Sequence, residues 1–112
     1  LEAWARDSRY RYLKGVRDQI GADWIVTAHH ANDAAETLLM QLLSNKEPNG
    51  IRGADEERRV LRPFLGVRRR ELERFAARFK VSFRHDSSND DEGFLRNRVR
   101  KTLLPMLEER FD

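Results

Sequence analysis

Two short segments hold most of the side chains able to do chemistry. Residues 28 to 37 read AHHANDAAET and crowd His29, His30, Asn32, Asp33 and Glu36 together. Asp33 and Glu36 are spaced to share one helical face, where they could hold an ammonium group or a hydrated magnesium ion. The same spacing fits a capping box, with Asp33 and Glu36 serving the orphan amides of their own helix, and the two uses can coexist. A dedicated zinc site is not indicated. His29 and His30 point to opposite faces if both continue a strand, and no HExxH or inverse spacing occurs. The second segment, residues 85 to 101, reads HDSSNDDEGFLRNRVRK. Its acidic start fails as a calcium loop, because Asp91 stands where the glycine is required and Asn97 where the bidentate glutamate is required. Further on, Arg96 and Arg100 stand four apart with Asn97 beside them, able to grip a phosphate chain or simply to line a solvated helix face.

The elements that would carry these residues alternate. Tyr12, Leu13, Val16 and Ile20 form one helical stripe, and Gly21 is placed to end that helix in a left-handed conformation. Trp24, Ile25 and Val26 run without alternation, as in a strand of a parallel sheet covered on both faces. Ala35, Leu38, Leu39 and Leu42 then predict a second amphipathic helix. The histidine pair and Asp33 thus follow a strand's carboxyl end, the usual ligand crevice of open α/β sheets. Residues 44 to 58 are rich in turn formers and read as a mobile surface loop. RVLRPFL is a brief strand that Pro63 ends or confines to an edge. Leu72, Phe75, Ala76 and Phe79 predict another helix, and Val81 with Phe83 a further strand. FLRNRVRKTLLPMLEERF is helical, with a kink or a new start at Pro105. The expected fold class is α/β, a partial Rossmann-like parallel sheet flanked by helices. Doubly wound domains usually have more strands than can be counted here, so a fragment is the expectation.

Bulk properties narrow the chemistry. A chain of 112 residues that is 39% hydrophobic and 37% charged suits one foldable unit. Cysteine is absent, which excludes disulfides, zinc thiolates and cysteine nucleophiles. No apolar run has membrane-spanning length and no secretory leader pattern is present, so a cytoplasmic setting is expected. The positive charge is mostly arginine, suited to phosphate and guanine edges, but a net charge of +3 is weak grounds for a nucleic-acid partner.

Taken in order, ARDSRYRYL, TAHHANDAAETLL, VLRPFL, HDSSND and FLRNRVRKTLLP resemble the ATP pyrophosphatase domain of the PP-loop family, in its tRNA(Ile)-lysidine synthetase branch. The resemblance covers nearly the whole chain, with AHHxxDxxET and RNxxR its most specific parts. Two departures stand out. Asn32 occupies a position where this family commonly has Asp, and the family's Ser-Gly-Gly-x-Asp-Ser phosphate loop is absent. Residues 1 to 112 are therefore expected to be the second half of one such domain, whose missing N-terminal half carries that loop, with no second domain. The resemblance implies a reaction in which ATP, with Mg2+, adenylates the ring carbonyl oxygen of the wobble cytidine of an isoleucine tRNA, and the side-chain amine of free lysine then displaces AMP. It assigns Asp33, Arg96 and Arg100 to catalysis, with Asp33 also a candidate magnesium ligand. His29, His30, Glu36, Asp86, Asn89 and Asn97 are assigned to substrate binding. The basic stretch RRRELERFAARFK is either a tRNA-phosphate surface or a solvated helix. A homodimer is left open. The alternatives are a PP-loop tRNA-thiolating enzyme, which the lack of cysteine disfavours, and a non-catalytic RNA-binding α/β module.

Overall fold

The computed structural model describes residues 2–84 and 95–111. It divides into two compact units, Leu1–Ala28 with Arg52–Pro63, and His29–Ile51 with Phe64–Asp112.

The first unit contains helix α1 (Glu2–Ile20) and strands β1 (Ile25–Val26), β2 (Ala54–Asp55) and β3 (Val60–Leu61). The strand order is β1-β3-β2. β1 pairs with β3 in parallel, Ile25 opposite Val60, and β2 pairs with β3 antiparallel, Asp55 opposite Val60. The α/β class and the parallel ladder are as expected, but the sheet is mixed. β2 lies inside the stretch read as a mobile loop. A turn closes it, with Asp55 Oδ1 accepting from the Arg58 amide at 3.1 Å, and such two-residue strands leave no periodic signature. Ile25 and Val60 are the buried apolar pair. The α1 stripe is rotated from its predicted position. Tyr12 and Ile20 are both 71% exposed, while Arg17 is buried and its Nη1 donates to the Arg58 carbonyl at 2.8 Å. A long side chain that covers its neighbours and ends on a carbonyl can take an apolar residue's place.

The second unit holds α2 (Ala31–Leu43), α3 (Arg69–Arg78), α4 (Leu95–Arg98) and α5 (Leu104–Phe111). A π-helical turn, Val99–Leu103, connects α4 to α5, and the Leu104 amide reaches back to the Val99 carbonyl. Pro105 explains this turn. Proline has no N–H to give, and in a regular helix its ring would strike the carbonyl four residues earlier, that of Lys101. Widening the turn relieves that collision without ending the helix. Val81 and Phe83 do not form the predicted strand. Among the described residues they have no ladder partner, and Phe83 is 72% exposed. The apolar stripe of α3 is also incompletely covered. Phe75 and Phe79 are more than half exposed, with ring centroids 4.6 Å apart and planes tilted by 37°.

Three helices end in the same way. Gly21, Asn45 and Lys80 each take a positive φ, and the next amide bonds back to a carbonyl five residues earlier: Ala22 to Arg17, Lys46 to Gln41 and Val81 to Ala76. This is the six-to-one Schellman closure, which satisfies a carbonyl left open at a helix end. Gly21 was legible as such a terminator, because glycine enters the left-handed region without penalty. No helix among the described residues is long and apolar enough to cross a membrane.

Candidate active site

The described candidate residues of the second unit gather around the first two turns of α2. The N-cap of this helix is His30, in an extended conformation. Its Nδ1 accepts from the Asp33 amide at 3.4 Å, while Asp33 Oδ2 accepts from the His30 amide at 2.8 Å. The capping box therefore begins three residues earlier than predicted. Asp33 is its third helical residue rather than its cap, and Glu36 has no part in it. Asn32 also has a structural use, since its Oδ1 accepts from the Arg69 amide at 2.9 Å. That bond satisfies an amide in the first turn of α3, whose N-cap residue, Arg68, makes no side-chain capping bond.

Released from capping, Glu36 points inward. It is 1% exposed, the most deeply buried charged side chain among the described residues. A carboxylate so placed needs compensation, because burying an unpaired charge is far costlier than burying a bonded one. Arg100 provides it with a two-pronged contact, Nε to Oε2 and Nη2 to Oε1, both 2.9 Å. Arg96 adds Nη1 to Oε1 at 3.3 Å and Nη2 to Thr37 Oγ1 at 3.1 Å. Asp33 Oδ1 lies 3.8 Å from Arg100 Nη2. Two carboxylates and two guanidinium groups thus form one network across α2, α4 and the π-helical turn.

This arrangement decides what the site can hold. Both oxygens of Glu36 face guanidinium donors, so Glu36 does not present an open carboxylate to a magnesium ion. Among the described residues, no three His, Asp or Glu side chains stand together as a metal site. The network instead supplies fixed, planar, charged donors of the kind that meet phosphate oxygens.

A model of the PP-loop domain matches residues 1–107. The chain belongs to the PP-loop family. Curated relatives of this PP-loop chain include the tRNA(Ile)-lysidine synthase of Treponema denticola, 39% identical over 113 residues, which cover 100% of the chain and 25% of the relative. The enzyme of the same name from Bacillus subtilis is 35% identical, covering 96% and 24%. That from Geobacter sulfurreducens is 40% identical, covering 96% and 23%. The PP-loop chain spans about a quarter of the length of these relatives.

Among the candidate residues of the PP-loop chain, Asp33, Glu36, Arg96 and Arg100 meet in the network, and His30 joins it through the cap. His29 is half-buried immediately before the cap. Asn97 is buried on α4, next in sequence to Arg96. Asp86 and Asn89 lie outside the described residues. A hollow of about 280 Å³ lined by Arg68, Leu107, Glu108 and Phe111 includes none of the candidates. The sequence did not single out Thr37. No local signal marked it, because adjacent helix positions do not share a face, and it is the long Arg96 side chain that reaches both Glu36 and Thr37.

Proposed function

We propose that the protein carrying this segment is an ATP-dependent carbon–nitrogen ligase that converts the wobble cytidine of an isoleucine tRNA to lysidine, using free lysine. The observation that carries this reading is the joining of Arg96 and Arg100 on the buried Glu36, where the family's two most specific motifs come together. The names of the relatives support the same substrate.

The cytidine ring carbonyl oxygen attacks the α-phosphate of ATP, and pyrophosphate leaves. The lysine side-chain amine then attacks the activated ring carbon, and AMP leaves with the oxygen. Charge builds on phosphate oxygens in both steps. Arg96 and Arg100, already held by Glu36, meet that charge without having to reorganise when it develops. Asp33, with its looser contact to Arg100, faces the lysine ammonium. His29, His30, Asn97, Asp86 and Asn89 belong to the substrate side. Magnesium arrives as the companion of the ATP phosphates, and the phosphate cradle comes from the other half of the domain. The setting is the cytoplasm.

Adenylation rates of the complete protein test this reading. Arg96→Lys and Arg100→Lys keep the charge but lose the planar fork. Each should lower turnover by about a hundredfold, the equivalent of roughly 3 kcal/mol of lost transition-state contact. The control is Arg78→Lys, at an exposed side chain that lies over the Phe79 ring. Equal rates in all three variants would return both arginines to a structural role.

A further inference from the structure

We infer that Thr37 is a positioning residue for the reaction, acting through Arg96; this rests on the reading above, in which Arg96 meets phosphate charge. Glu36 has two oxygens and faces two guanidinium groups. Arg100 engages both of them, at 2.9 Å each. On Glu36, Arg96 has only a share of Oε1, at 3.3 Å. Its second prong falls on the next residue of α2, where Thr37 Oγ1 accepts from Nη2 at 3.1 Å.

Each contact at a separate nitrogen restricts how a planar group can pivot, and both terminal nitrogens of Arg96 are tied to α2. Thr37 supplies that second point of attachment to α2. Its chemistry also suits the task. A second carboxylate at this position would add to the negative charge that Glu36 already places on Arg96, whereas a hydroxyl orients the guanidinium without adding any. Pre-orientation of this kind lowers the barrier more than it tightens substrate binding, because its full effect is felt only as transition-state charge develops.

The test uses the complete enzyme and follows tRNA-dependent pyrophosphate release. Thr37→Val replaces the hydroxyl with a methyl of similar size, and Thr37→Ser keeps the hydroxyl. For the valine variant, kcat should fall by about tenfold, with KM for ATP changed by less than about twofold. Serine should restore kcat to within about twofold of the parent. On an Arg96→Lys background the valine substitution should have little further effect, since residues acting through one group are not additive. Losses that multiply in the double variant, or a valine variant as fast as the parent while Arg96→Lys is slow, would overturn the role of Thr37 alone. Arg96→Lys at parental speed, or a parent without tRNA-dependent release, would overturn the underlying reading and this role with it. Should the valine variant unfold, alanine replaces it: a slow alanine beside a fast serine supports the role, and equal rates for the two overturn it.

Discussion

Glu36 and its two arginines are unequal partners, and the inequality can be measured. Arg100 contributes two contacts of 2.9 Å and Arg96 one of 3.3 Å. Arg100→Ala leaves a fully buried carboxylate with its poorer partner, the situation in which breaking an ion pair costs most, about 3–5 kcal/mol. Arg96→Ala leaves the two-pronged contact in place and should cost about 1–2 kcal/mol. Urea unfolding of the two variants checks the order, and a larger loss for Arg96→Ala would mean that the short contacts are not the stronger ones. Pairing of Arg96 with Arg100 was legible, because a spacing of four puts both on one helix face. Their acidic partner was not, because nothing local links Arg96 to a carboxylate sixty positions away. His30 as a cap was equally hidden, since histidine is not among the preferred N-cap residues and Asp33 offered a more ordinary alternative.

The helices were legible where their signals are strong and local, and their exits give one more expectation. Lys80 ends α3 with φ 53°, a conformation that costs a residue with a β-carbon on the order of 1 kcal/mol. Lys80→Gly should therefore raise stability by about 0.5–1 kcal/mol, seen as a higher urea midpoint with an unchanged slope. An unchanged or lower midpoint would place the strain elsewhere. The existence of α1, α2 and α3 followed from period, with Gly21 marking the end of α1 alone, and β1 and β3 from their apolar runs. β2 escaped notice because two residues cannot display a period. Val81 and Phe83 misled because alternation over so few positions also occurs in chain that pairs with nothing. At Pro105 the sequence offered a kink or a new start, and the π-helical turn is a third solution that depends on how the flanking turns pack.

The 112 residues contain no glycine-rich phosphate cradle, so the purified chain alone should not catalyse ATP–pyrophosphate exchange, whereas the complete protein should. Exchange above background by the chain alone would require a phosphate site built from some other part of it. The distance between Glu36 and its partners along the chain has a separate consequence for the order of events in the cell. Arg96 and Arg100 follow Glu36 by 60 and 64 positions. At roughly 5–20 residues per second of synthesis, Glu36 waits on the order of several seconds for either arginine to be made. Until then its carboxylate is better off in water than inside a closing core, so the nascent chain keeps this part of α2 open. The charged centre of the second unit can thus close only once Arg96 and Arg100 have been made, and a chain cut short before Arg96 is left with an acid lacking both guanidinium partners.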